Sequence, residues 1–305
     1  ISLLLNYRQL AKLKSTYADG LQECIAEDGR IHSTFNQTEA RTGRISSLEP
    51  NLQNIPVRTA EGRRLREYFN APAGRVLCDA DYSQIELRVL ASMSGDANMI
   101  NAFGSGTDIH TVTASQVFGL PQDMITPELR SRAKAVNFGI VYGIGAFSLS
   151  KDIGVTRAEA DRYIKSYLAA YPGVAAYMEK AIEDAKKNGY VTTLYGRRRY
   201  IPELSNSNGN MRAFGERVAR NAPIQGTAAD IIKIAMIKVS RSLKDEFSTA
   251  RLILQVHDEL IVECDEKDAE DICTLLEREM ENAADLAVRL TAEAHFGKTW
   301  LEAKA

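Results

Sequence analysis

The chain has no run of apolar residues approaching the ~20 that a membrane-spanning helix needs, so that class is excluded. It has no surplus of either charge: a formal net charge of -2 over 305 residues excludes a surface adapted as a whole to a polyanion. Nucleic acid, if bound, must be held by local clusters. Cysteine is scarce and scattered. Cys24, Cys78, Cys264 and Cys273 form no CxxC pair and have no histidine at metal spacing, which excludes a disulfide framework and the common zinc patterns. Three of the four lie in apolar or helical stretches, as reduced thiols of a cytosolic protein do. Internal repeats and low-complexity tracts are missing. So is a signal-peptide cleavage site after "ISLLLNYRQLAKLK", and there is no initiator Met, so the chain reads as a piece of something longer.

What is present is ordinary in bulk: 45% hydrophobic and 26% charged residues describe a globular protein. Its length suggests two structural units. Residues 1 to 17 carry an apolar stripe at helical spacing (Leu3, Leu4, Tyr7, Leu10, Leu13, Tyr17), with Arg8 and Lys12 on another face. Residues 21 to 58 read as short strands and turns, 75 to 81 as a strand, and a helix follows from about 83. Residues 96 to 190 read as helices punctuated by glycine and proline. "GYVTTLYGRRRYIP" (189–202) reads as a hairpin turning at Gly196. A helix from about 211 to 243 contains Pro223, which should break or kink it. "RLILQVHDELIVEC" (251–264) reads as a hairpin tipped with acids, followed by an amphipathic helix over 266–284 and a short strand. Strands at both ends around a helical block predict a discontinuous α+β fold.

Three constellations carry chemistry. In "DADYSQIELR" (79–88) a buried strand ends on Asp79 and Asp81, and His257-Asp258-Glu259 tips the later hairpin. Carboxylates delivered by two strands to one sheet edge suit Mg²⁺, which takes hard oxygen ligands and leaves the rest of its shell to water and phosphates. A pair of such ions activates a hydroxyl and stabilises a leaving pyrophosphate. Solvated turn acids are the other reading, and the residues alone leave both open. In "RSRAKAVNFGIVYG" (130–143), Arg130, Lys134, Phe138 and Tyr142 recur every fourth residue and form a row on one helix face. Two cations followed by two aromatics suit a nucleoside triphosphate lying along the helix better than a core or a solvated face. In "RVARNAPIQGTAADIIK" (217–233), Arg217, Asn221 and Gln225 share a face. They suit the minor groove, where every base pair offers an acceptor; a polar surface is the alternative. The clusters Arg63, Arg64 and Arg66; Arg130, Arg132 and Lys134; and Arg197 to Arg199 read individually as solvated surface.

Taken together and in order, "TGRISS", "PNLQNIPVR", "DYSQIELR", "DIHTVTA", "RSRAKAVNFGIVYG", "NAPIQGTAADIIK" and "QVHDEL" resemble the motifs of family A DNA polymerases across essentially the whole chain. The resemblance implies an α+β right-hand architecture with a palm sheet and an inserted helical fingers subdomain. The expected boundaries are a thumb-base helix and connection over 1–28, palm over 29–93, fingers over 94–210 and palm again over 211–305, with most of the thumb absent. It implies two Mg²⁺ ions held by Asp81 and Asp258, with Glu259 an acid of lesser weight beside them and Lys134 among the catalytic residues. Arg130, Lys134, His110 and Gln84 match positions around the triphosphate. Phe138 matches the aromatic near the sugar, and Tyr142 the residue beside the templating site. Glu86 matches the gate that, with Tyr142, crowds a ribose 2′-OH. Arg44, Arg217, Asn221, Gln225 and His257 match contacts to the primer–template end, and Arg8 and Lys12 match duplex contacts.

The implied activity is template-directed DNA synthesis from deoxynucleoside triphosphates by a bacterial, cytoplasmic, nucleoid-associated monomer that needs no membrane. Weak DNA grip is expected of the truncated chain. Asp79 departs from the family pattern and is expected to face solvent. Among rivals, a non-catalytic DNA-binding module has no need of unpaired metal ligands. A nucleotide-sugar transferase leaves the two helical rows unexplained, and a single-subunit RNA polymerase would not be expected to carry a bulky Glu86.

Overall fold

β3 (Arg75–Tyr82) is the strand around which the first half of the architecture is organised. A computed structural model describes residues 1–57 and 59–304. They divide into two units: residues 1–83, 231–283 and the stretch from 291 onward form the first, and 84–230 with 284–290 the second.

In the first unit, β1 (Thr34–Asn36) and β2 (Ser46–Leu48) form a small antiparallel ribbon. The main sheet has the order β6-β7-β3-β8, with β6 Arg251–Val256, β7 Glu259–Asp265 and β8 Ala292–Gly297, every pair antiparallel. Alternation along β3 sends side chains to opposite faces. One face meets the Ala269–Glu281 helix: Cys78 is fully buried beside Ala269, and the Tyr82 hydroxyl donates to the Met280 carbonyl at 2.6 Å. The other face puts Leu77 in a cluster with Leu65, Val256, Ile261 and Trp300. Cys78 and Cys264 lie side by side with sulfurs 3.5 Å apart, far beyond disulfide length, so the buried thiols are unbonded as expected.

The N-terminal helix (Ser2–Lys12) passes into a wider π-helical turn over Leu13–Asp19. The expected stripe is buried only in its second half. Leu3, Leu4, Tyr7 and Leu10 are exposed, whereas Tyr17 packs with Leu13 and Leu21 into the Leu52–Ile55 cluster and donates to the Asn54 carbonyl at 2.6 Å.

The second unit is helical: Ile85–Ser94, Ala97–Gly104, Ile109–Phe118, Pro127–Val141, Ala146–Ile153, Arg157–Ala170 and Pro172–Asn188, with the hairpin β4 (Tyr190–Thr192) and β5 (Arg198–Tyr200). Local sequence sets these starts. Asp96, Asp108, Thr126 and Thr156 each accept a first-turn N–H, and Thr156 with Glu159 completes a capping box. Asp96 is also buried against the start of the Pro172–Asn188 helix, where it accepts from Gly173 N at 2.7 Å. A Cβ on Gly173 would meet it at 2.9 Å, so only glycine fits there.

Of the break or kink expected at Pro223, a break is not found. One helix runs over Gly209–Glu246, its first part in the second unit and the remainder in the first. Proline deletes one hydrogen bond and crowds one carbonyl, a local cost that a ladder of 38 residues absorbs. The fold is α+β with antiparallel sheets, as the strand–helix–strand order predicted. No helix among the described residues is long and apolar enough to cross a membrane.

Candidate active site

In the first unit the acids converge at one end of the main sheet. Asp81 is paired in register with Glu259 on β7, and the β6–β7 hairpin turns on His257 and Asp258. His257 takes a positive φ of 53°, an uncommon conformation for a non-glycine residue that lets two residues close the hairpin. The Tyr82 N–H donates to the Asp258 carbonyl at 3.2 Å, which ties the turn to the end of β3. Burial, and then the charge of Asp81, push the Asp258 carboxyl up to about 7.

Asp79 corrects an expectation. It does not face solvent: it is 2% exposed and accepts from the Trp300 indole N–H at 3.1 Å. Burial, and then Glu259, push it up to about 7. The cause is the short terminal helix Trp300–Ala303, whose fully buried tryptophan covers this face of β3. Lys304 follows directly, and its ammonium contacts Asp81 Oδ2 at 2.8 Å and Glu259 Oε1 at 2.5 Å. Arg66, in a cluster expected to be solvated, is instead buried: its guanidinium lies 4.1 Å above the Trp300 ring and 3.6 Å from Glu259. Arg66, Trp300 and Lys304 are the neighbours of the acids that the sequence did not reveal, because no local motif marks a contact across the whole length of the chain.

These acids suit Mg²⁺. Asp79 Oδ1, Asp81 Oδ1 and Glu259 Oε2 are buried without a hydrogen-bond partner, so the existing cations leave acceptor capacity over. Among the described residues no three metal-type ligands already form a cage. Mg²⁺ needs none, because it is commonly held by one or two carboxylates plus water and substrate phosphates.

In the second unit the Pro127–Val141 helix is capped by Thr126 with proline at its first position, and it presents the predicted row. Arg130 grips Asp108 with both Nε (2.9 Å) and Nη2 (2.8 Å), and Lys134 is exposed. The Phe138 and Tyr142 rings stack 6.3 Å apart at 18°. Burial alone would raise Asp108, but the Arg130 and Thr111 hydrogen bonds hold it down at about 2. His110 is fully buried 5.9 Å from the Phe138 ring. Its Nδ1 accepts from the Asn137 amide at 3.0 Å, which places the ring proton on Nε2, a buried donor with no partner. Desolvation pushes His110 down to about 4, so the ring is neutral near pH 7.

Gln84 begins the Ile85–Ser94 helix from a left-handed conformation (φ 55°), and Glu86 is buried in the first turn. Along the long helix Arg217 is exposed, Asn221 and Gln225 are half-buried, and Ala219 on the opposite side is buried. Gly143, at φ 66°, sits so close to Arg217 that a Cβ there would be 3.4 Å from its side chain. Arg197, from the third basic cluster, is instead spent on buried Asp230, at 2.6 and 2.9 Å.

Back in the first unit, Lys233 donates to the Gly43 carbonyl at 2.5 Å and so fixes the loop carrying Arg44. Partial desolvation and the Arg44 charge hold the His257 imidazole below its usual value. Arg8 and Lys12 are exposed on the first helix.

A family model described as "DNA polymerase family A" matches residues 1–302. The chain is 50% identical over 303 residues to DNA polymerase I of Geobacillus stearothermophilus, covering 99% of this chain and 35% of that protein. It is 51% identical over 302 residues to DNA polymerase I of Pseudomonas aeruginosa, covering 99% of this chain and 33% of that one. The chain thus spans about a third of the length of these relatives. Among solved structures, the polymerase domain of Pol1 from M. smegmatis, in complex with DNA primer-template and dNTP, superposes with a TM-score of 0.94. It is 47% identical, over 99% of this chain and 53% of that one. Paired acids on an antiparallel sheet, a cation–aromatic row on a separate helix and a match that runs nearly end to end lead to one conclusion: the chain belongs to DNA polymerase family A.

Proposed function

We propose that this chain carries out template-directed DNA synthesis, transferring a nucleotide from a deoxynucleoside triphosphate to a primer 3′-hydroxyl. The first unit acts as palm with a thumb-base segment at its start, and the second as fingers. The observation that carries the reading is the set of buried carboxylate oxygens without partners on Asp81 and Glu259, beside Asp258. A scaffold that only bound DNA would bear their cost without return. That disfavours the non-catalytic alternative.

Asp81 and Asp258 would hold two Mg²⁺ ions, and Glu259 would support them. When bound, such ions supply the charge that favours the primer alkoxide and stabilises the leaving pyrophosphate. Lys134 and Arg130 offset charge on the triphosphate, and Lys134 is the group that can give the pyrophosphate a proton. His110 offers its Nε2 proton to a phosphate oxygen, and Gln84 assists. Phe138 lies against the sugar, Tyr142 marks the templating position, and Glu86 closes the space a 2′-hydroxyl would need. Arg44, His257, Arg217, Asn221 and Gln225 hold the primer–template end, and Arg8 and Lys12 the duplex. In the reaction the 3′-oxygen forms a bond to the α-phosphorus while the bond to the bridging oxygen breaks and pyrophosphate leaves.

The test is extension of a hairpin primer–template with Mg²⁺ and all four deoxynucleotides. Template-dependent products are expected from the wild type and none from Asp81→Ala. Tight DNA binding without extension would return the scaffold reading.

A further inference from the structure

We propose that Lys304 is the resident counter-ion of the acid pair and competes with divalent cations for Asp81, a positioning role that rests on the metal-binding reading of Asp81 and Asp258. Asp79, Asp81, Asp258 and Glu259 crowd one end of the sheet, and two cations contact them. Arg66 reaches Glu259 from a buried position and is pinned over Trp300. Lys304 differs in being able to move. It sits at the end of a four-residue helix, its side chain is 29% exposed, and a lysine stem has many rotamers with which to withdraw into water.

The ammonium bridges Asp81 and Glu259 with two of its three protons. It is therefore an incomplete partner, since each of these carboxylates keeps one buried oxygen unpaired. A divalent ion on Asp81 would lie within a few ångströms of the ammonium, and the two like charges exclude one another there. Lys304 therefore gives up Asp81 when a cation binds and keeps Glu259. Its placement is set by Trp300, which is buried under β3 and hydrogen-bonded to Asp79, and this holds the end of the chain over the acids.

The test uses the whole 305-residue chain without DNA. Mn²⁺ binding is followed by electron paramagnetic resonance, with Asp81→Ala defining the ions bound elsewhere, and thermal unfolding is recorded in EDTA and in excess Mg²⁺. Lys304→Met is expected to bind the Asp81-dependent Mn²⁺ at least about threefold more tightly, because a competitor has been removed. Its Tm should fall in EDTA, where the acids repel unmasked, and the deficit should shrink in Mg²⁺. Lys304→Arg, whose fork can grip a carboxylate with two bonds, should keep the wild-type Tm in EDTA and bind Mn²⁺ no more tightly than wild type. Unchanged or weaker Mn²⁺ binding by folded Lys304→Met overturns the proposal, and so does tighter binding by Lys304→Arg. If wild type and Asp81→Ala bind Mn²⁺ alike, the metal reading itself fails and this inference falls with it.

Discussion

At the scale of single residues, the acids separate by environment. Asp81 and Asp258 are proposed to serve charge at the reacting phosphorus and have no apolar packing role. Asp81→Ala and Asp258→Ala should therefore abolish primer extension while the fold is kept, seen as an unchanged far-UV circular dichroism spectrum. Asp79 should behave differently. Asp79→Ala strands the buried Trp300 N–H, a loss of ~1–3 kcal/mol. Asp79→Asn keeps an acceptor for it and should cost little stability and far less activity than Asp81→Ala. If Asp79→Asn were as inactive as Asp81→Ala, the metal ligand would have to be reassigned within residues 79–81. Glu86 is buried at the first turn of its helix, so its bulk is fixed in place. Glu86→Ala should raise ribonucleotide incorporation relative to deoxynucleotide, measured as a ratio of steady-state efficiencies. An unchanged ratio would place sugar discrimination elsewhere.

At the scale of elements, the Pro127–Val141 helix combines a proposed ligand row with a buried polar network. Lys134→Ala should raise the triphosphate concentration needed for half-maximal rate and slow the chemical step. Phe138→Tyr adds a hydroxyl in place of the one a 3′-deoxy sugar lacks, and should ease dideoxynucleotide use in competition with deoxynucleotides. Behind this face His110, Thr113 and Asn137 link two helices by hydrogen bonds, and Tyr171, at the junction of the next two, bonds to Thr113. His110 titrates at about 4 in the folded protein against an ordinary 6.5. Between those values the unfolded chain binds a proton that the folded one refuses, so stability falls as pH drops from 6.5 toward 4. The loss is up to ~3 kcal/mol. Asp79 and Asp258, pushed up to about 7, act in the opposite sense over the same range, so the His110 contribution is read as the difference in urea unfolding between wild type and His110→Gln from pH 6.5 to 4.

At the scale of the whole molecule, near-neutral charge leaves DNA affinity to a few local cations. Each phosphate neutralised adds about 0.9 to the log–log dependence of affinity on salt. Replacing Arg8 and Lys12 together by glutamine should lower that slope by about 1.8 if both contact phosphates. Fluorescence anisotropy of a labelled primer–template across a salt series measures it, and an unchanged slope would remove the first helix from the duplex-binding surface.

The sequence by itself determined what depends on neighbours in the chain. Short apolar runs set β3, β6 and β7, capping residues set the starts of four helices of the second unit, and four-residue spacing set the Arg130–Tyr142 and Arg217–Gln225 rows. The motif order was enough to indicate the family. Only the tertiary structure decided which charges are buried and with what. Asp79 read as a solvent-facing acid until Trp300 covered it, Arg66 read as surface until it stacked on that ring, and Lys304 bore no motif at all. Pro223 read as a break or a kink because local rules carry the cost of a lost hydrogen bond, and the long helix that runs through it carries the compensation. Periodicity is a property of a segment. Burial and ion pairing depend on residues that lie far apart in sequence and meet only when the sheet closes.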